Sequence, residues 1–282
     1  MKTAKKTTPY LLLILTLLVS GLYSNTASAR ILVSNKPLAL IAAATYPAEQ
    51  IDILVPDGMS PHDYSLRPSD IGKIRQAEKI LWAGDHVEPF LEKFEQQSNG
   101  VEWLNVTELM KEVGLYGTDP HVWLSPELAI EISKRISLWN PIDVEQAQKD
   151  HDVFATQITQ LITDSKERLA PVSKTGFFVF HQAYDYWFQT LNLEQTGSFT
   201  LSPERKPGAR HVHEMRTQLQ NKEVTCVLTE PQFSPALVTT LIQGLEIKQG
   251  QLDPLAGSSQ LTKTAYVDWL SGMVNTLEEC LR

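Results

Sequence analysis

Downstream of residue 30, short apolar runs alternate with longer segments in which apolar residues recur every three or four positions. Ile31–Ser34, Ile51–Val55 and Ile80–Ala83 read as strands; Pro37–Tyr46, Pro68–Ala77 and Val87–Gln96 read as helices or helix starts. A second series repeats the alternation, with Phe177–Phe180 and Val224–Leu228 as strands and His211–Gln220 and Pro235–Leu245 as helices. Strands separated by helical crossovers predict parallel sheets, so the expected class is α/β. No internal repeat, low-complexity tract or long linker interrupts the pattern.

Between the two series lies a segment of different character, Pro141 to Leu169. Val144, Ala147, His151, Phe154, Ile158 and Leu161 form one stripe, which continues through Ser165 to Leu169 until Pro171 stops it. Asn140-Pro141 predicts the start, with Asn140 as cap and proline at the first helical position. A helix of that length spans about 43 Å at 1.5 Å per residue, enough to run the height of a two-lobed molecule. The predicted organisation is an N-terminal lobe over residues 30–139, an inter-lobe helix over 140–170 and a C-terminal lobe over 171–282. A single helical crossing resists bending more than a loop hinge does, so limited lobe movement is expected.

The first 29 residues follow another logic. Lys2, Lys5 and Lys6 precede an apolar run from Leu11 to Leu22, and Ala27-Ser28-Ala29 closes it. That is the pattern of a cleavable export signal, with an apolar run short of the roughly 20 residues a spanning helix needs. Cleavage is expected before Arg30, and no cysteine follows to accept a lipid. Removing three lysines and no acid would carry the formal net charge from −8 to −11. So acidic a chain repels phosphate backbones, which disfavours nucleic-acid partners. In an exported protein the two cysteines, Cys226 and Cys280, read as one disulfide.

Three of the seven histidines stand out by setting. His62 lies in Ser60-Pro61-His62-Asp63-Tyr64, just beyond a strand; His121 lies in Asp119-Pro120-His121-Val122-Trp123; His181 directly follows the strand Phe177–Phe180. Ligands of open parallel sheets bind beyond the carboxyl ends of strands, which suits His62 and His181 in different lobes. Three neutral imidazoles with a carboxylate or water complete a zinc tetrahedron, whereas manganese prefers more oxygen. Spacings of 59 and 60 residues carry little information by themselves, and any one histidine is more commonly a hydrogen-bonded structural residue. His151 reads as a packing residue on the long helix, His211 and His213 as surface residues near a helix start, and His86 as a loop residue of no assigned role. Trp82, Trp123 and Tyr184 read as cleft walls, and Asp63 and Arg67 as orienting His62 or pairing with each other.

Seven ordered stretches resemble the zinc-specific solute-binding proteins of bacterial ABC transporters. They are Ser34-Asn35-Lys36-Pro37-Leu38, Pro61 to Asp70, His121 to Glu127, Phe180-His181-Gln182-Ala183-Tyr184, Pro207-Gly208-Ala209-Arg210, Thr229 to Phe233 and Leu252-Asp253-Pro254-Leu255. The resemblance implies two α/β lobes joined by a long helix, with the ion held in the cleft by His62, His121 and His181. A histidine at the third position matches zinc-type members, where manganese-type members tend to carry glutamate. The cysteine pair also matches the C-terminal disulfide of zinc-type members. For the fourth ligand, water and Asp253 rank slightly above Glu230, and Pro61 stands where some zinc-type members have a ligating glutamate. Val113 to Asp119 contains no histidine where many such proteins carry a histidine-rich loop, so one zinc per chain is expected.

The resemblance implies a periplasmic, monomeric carrier that hands Zn2+ to a membrane permease driven by a separate ATPase subunit; no nucleotide-binding motif is present in this chain. A zinc hydrolase would need a general base beside an open metal position, and neither His-Glu-x-x-His nor a Ser or Cys elbow is found, so no enzymatic activity is expected. The remaining alternatives are a manganese or iron carrier of the same family and an adhesin-like interaction protein.

Overall fold

The computed structural model describes residues 30–200, 208–221 and 224–282. The segment read as an export signal, residues 1–29, lies outside them, as do Pro207 of the fifth matching stretch and the side chain of His211. No helix among the described residues is long and apolar enough to cross a membrane.

Two four-stranded parallel sheets organise the molecule. In the N-terminal lobe β1 (Ile31–Val33), β2 (Ile51–Ile53), β3 (Lys79–Trp82) and β4 (Glu102–Asn105) lie in the order β2-β1-β3-β4. Ile31 is opposite Ile51 on one side and Lys79 on the other. The helices of this lobe are α1 (Lys36–Ala43), α2 (Pro68–Gln76), α3 (Pro89–Gln97), α4 (Val106–Glu112) and α5 (Pro126–Ser137). After the long α6 (Val144–Leu169), the C-terminal lobe adds β5 (Gly176–His181), α7 (Asp185–Thr190), β6 (Gly197–Thr200), α8 (Ala209–Asn221), β7 (Val224–Thr229), α9 (Ala236–Ile242), β8 (Lys248–Gln251) and α10 (Ala265–Leu281). Its sheet order is β6-β5-β7-β8.

The strand period decides which residues face which core. Ile31 and Val33 of β1, and Phe177 and Val179 of β5, point into one apolar cluster that runs without a break through both lobes. Their neighbours point outward into two smaller clusters. Leu32, Ile80 and Trp82 cover the outer face of the first sheet, and Phe178 and Phe180 that of the second. Helices α1 and α5, with seven buried residues each, and α10, with nine, turn large buried surfaces toward the shared core. Asn35 starts α1 by accepting the Leu38 N–H at 3.2 Å, and Pro37 fixes the backbone just inside.

Helix α6 begins at Val144 rather than at Pro141. Asp143 supplies the cap, accepting the Gln146 N–H at 2.9 Å. Asn140 instead folds the preceding turn, accepting from Ile142 N and Asp143 N and donating to Thr45 O at 2.8 Å. Two polar residues three apart competed for the same role, and the second won because Asn140 is tied to the N-terminal lobe. Ala147, Phe154, Ile158, Ser165 and Leu169 are the buried stripe, while Val144 is exposed. The helix packs on α5 and α10; Phe154 meets Tyr266 at 5.8 Å, and Arg168 pairs with Glu278. His151 is half-buried and bonds Ser133 Oγ at 2.8 Å. Cys226 on β7 and Cys280 on α10 form the expected disulfide.

Candidate metal centre

Three separate local structures deliver the histidines. His62 sits in a single helical turn, Pro61–Asp63, whose start is set by Pro61 and by Ser60 Oγ accepting the His62 N–H at 3.3 Å. Below it, Asp70 accepts from Tyr64 Oη at 2.6 Å and from Arg67 N at 2.8 Å, which fastens the returning chain to α2. His121 precedes the turn Val122–Leu124; Asp119 Oδ1 accepts its backbone N–H at 2.9 Å and lies 2.6 Å from its Nδ1. His181 is the last residue of β5, and its Nδ1 lies 2.7 Å from Glu230 Oε1, one residue beyond the end of β7.

The imidazoles converge through one kind of nitrogen. His62 Nε2 is 3.0 Å from His121 Nε2, which is 3.2 Å from His181 Nε2. The three offered ligand atoms all lie within 4.8 Å of one another. Nitrogens bound tetrahedrally to zinc at 2.0–2.1 Å would sit about 3.3 Å apart, so these spacings already approximate a coordination face. The cavity they share is about 10 Å³, room for one ion or one water.

Electrostatics sets the tautomers. Burial alone would raise the Asp119 carboxyl, but hydrogen bonds and charge from His121, with backbone N–H groups of His121 and Asp185, hold it below its ordinary value. Asp119 Oδ1 occupies the Nδ1 side of His121, which leaves Nε2 as the nitrogen turned inward. Glu230 Oε1, equally buried, lies on Nδ1 of His181 in the same way and leaves its Nε2 facing inward. Nε2 atoms that face one another across 3.0 and 3.2 Å offer a seat for a cation, and the carboxylates behind two of the rings are the oxygens to which metal-bound imidazoles donate.

The other sequence-derived candidates differ in where they lie. Asp253 is not among the converging groups: its oxygens accept from Leu255 N at 3.0 Å, Gly257 N at 2.8 Å and the Gln232 amide, holding the turn that follows β8. Glu230 lines the cavity, with Oε1 on His181 and Oε2 buried without a hydrogen-bond partner. Gln232 Oε1 is buried and unpartnered at the same cavity. Arg67 reaches Met59 Sδ. His86 and His213 are exposed, His86 beside a groove lined by Tyr116 and Asp119. Trp123 packs edge-on to His121 at 5.4 Å and Tyr184 is fully buried, as wall residues would be. What the residue pattern left unnoticed was Asp119; an acid two residues before a candidate ligand, able to turn back on its own backbone, is the signal that would have found it.

Known proteins resemble this chain in sequence and fold. A family model described as zinc-uptake complex component A, periplasmic, matches residues 31–280. The high-affinity zinc uptake system protein ZnuA of Yersinia pestis is 36% identical over 298 residues, covering 92% of this chain and 93% of that protein. Its counterpart in Haemophilus ducreyi is 30% identical, covering 95% and 98%. Among solved structures, a ZnuA crystal structure aligns with a TM-score of 0.74 at 21% identity over 90% of this chain and all of the other. A zinc-bound ZnuA deletion mutant scores 0.74 at 22% identity over 90% and 98%, and the laminin-binding adhesin Lmb of Streptococcus agalactiae scores 0.76 at 19% over 90% and 100%.

Proposed function

The chain belongs to the family of periplasmic zinc-uptake complex A components, and from that premise we propose that it captures Zn2+ between its lobes and delivers it to an ABC permease. The observation that carries this reading is the convergence of three Nε2 atoms, two of them aimed by buried carboxylates. His62, His121 and His181 are the ligands. Water is the fourth, since the Asp253 carboxylate is already committed to its own turn and Glu230 reaches the imidazoles through Oε1 on His181 Nδ1, the side away from Nε2. Zinc is favoured over manganese because three imidazoles and one small oxygen ligand give four-coordinate geometry with nitrogen donors.

Residues 1–29 serve as the export signal, with cleavage before Arg30, and the mature product is a soluble periplasmic monomer of two lobes, 30–139 and 171–282, bridged by 140–170. It performs no chemical turnover: the ion enters, protons that compete for the same lone pairs leave, and the loaded form docks on a permease powered by another subunit. The segment 113–119 brings no further histidine, so binding saturates at one equivalent.

Calorimetric titration of metal-free mature protein tests the reading. One high-affinity equivalent of zinc is expected, resistant to competing manganese, weakening on acidification and lost in His121→Ala. Two tight equivalents, a preference for manganese, or undiminished binding by His121→Ala would overturn it.

A further inference from the structure

Asp119 does more than face one imidazole. Its Oδ1 takes both the backbone N–H and the Nδ1 of His121, while its Oδ2 accepts the backbone N–H of Asp185 at 3.0 Å. Asp119 belongs to the N-terminal lobe and Asp185 opens α7 in the C-terminal lobe, so one carboxylate joins a candidate ligand to the opposite lobe. Two other hydrogen bonds cross near the same segment: Trp123 Nε1 to Pro254 O at 2.8 Å, and Tyr266 Oη to Trp123 O at 2.7 Å. In neither bond is a partner also hydrogen-bonded to an imidazole, although the Trp123 ring packs edge-on to His121. Glu230, the counterpart of Asp119, orients His181 within a single lobe.

We propose that Asp119 is a positioning residue through which zinc on His121 seats the C-terminal lobe, an inference that rests on the three histidines being the zinc site. The ion pulls electron density from the His121 ring, the Nδ1–H becomes a stronger donor, and the carboxylate that receives it is held in the orientation that also receives Asp185. Occupancy of the site and the hold on α7 are thereby linked, and the loaded carrier presents a cleft rim different in firmness from that of the empty one.

Asp119→Asn separates this from ordinary packing. An amide has one accepting oxygen and one donating nitrogen, so it serves either His121 Nδ1–H or the Asp185 N–H but not both. The first readout is zinc affinity, expected to fall about tenfold or more, as for other partners of metal-bound histidines. The second is hydrogen exchange of the Asp185 amide, with and without saturating zinc. In the unsubstituted protein zinc is expected to slow it; in Asp119→Asn that slowing is expected to vanish. Glu230→Gln is expected to lose affinity comparably yet keep the zinc-dependent slowing. Undiminished affinity in Asp119→Asn, or zinc-dependent slowing that survives in it, overturns the proposal. So does an Asp185 amide in the unsubstituted protein that exchanges equally with and without zinc, a measurement that needs no variant to fold. Failure of the unsubstituted protein to bind zinc at all would instead remove the transport reading.

Discussion

Glu88 is a fully buried carboxylate of the N-terminal lobe. It follows β3, accepts from Asn35 Nδ2 and from the Ala83 N–H at 2.9 Å each, and sits apart from the three histidines. Burial pushes its carboxyl up to about 7 against the hydrogen bonds that favour the charge. An acid that titrates higher folded than unfolded holds its proton more tightly in the folded state. Its contribution is therefore complete below the ordinary glutamate range and drains away as pH rises through about 7, by roughly 3 kcal/mol in all. Urea unfolding from pH 5 to 8 should show stability falling with pH, and Glu88→Gln should flatten that slope; an unchanged slope would mean Glu88 ionises freely. The histidines that converge were legible in the sequence because each stands beside a strand end or a Pro-His turn. The carboxylates that aim them were less so, since an Asp or Glu near a histidine is common and only the folded geometry shows Asp119 and Glu230 turned onto Nδ1.

At the scale of elements, the strands foreseen from apolar runs were β1, β2, β3, β5 and β7, while β4, β6 and β8 escaped. Those three are edge strands, reading Glu-Trp-Leu-Asn, Gly-Ser-Phe-Thr and Lys-Gln-Gly-Gln. A strand paired on one side and half open to solvent does not need the unbroken apolar run of a central parallel strand, so its signal is faint. Helix α10 was also passed over, although its apolar spacing is helical and Thr264 precedes its start at Ala265; that hydroxyl donates to Asp268 and makes no side-chain cap. The disulfide fastens that last helix to β7, whose end leads directly to Glu230. Closing a loop with a sequence separation of 54 contributes about 4 kcal/mol. A Cys226→Ala/Cys280→Ala variant should lose about that much in urea titration while still taking up one zinc. A loss of under about 1 kcal/mol would show that α10 is held by its apolar face alone.

Across the whole molecule, the apolar interior does not stop at the cleft. One cluster joins α1, α5, α6, β5, α7 and α10, and Tyr266 of the C-terminal lobe packs on Phe154 and donates to Trp123 of the N-terminal lobe. Opening the lobes as a hinge would expose that shared surface to water, at a cost that grows with the area uncovered. Solution scattering curves of metal-free and zinc-loaded protein should therefore superimpose, the changes on loading being confined to local order around the histidines. A clear drop in radius of gyration on adding zinc would contradict this.

The shared cluster also limits how such a carrier can be recombined. Each lobe has an outer face of its own, since among the described residues Leu32, Ile80 and Trp82 cluster with N-terminal apolar residues and Phe178 and Phe180 with C-terminal ones. The inner faces have no such independence. A chimera that borrows one half from a relative inherits a seam shaped for different neighbours, so grafts confined to the outward surfaces keep the carrier intact where exchanges of whole halves demand that both sides of the seam be redesigned together.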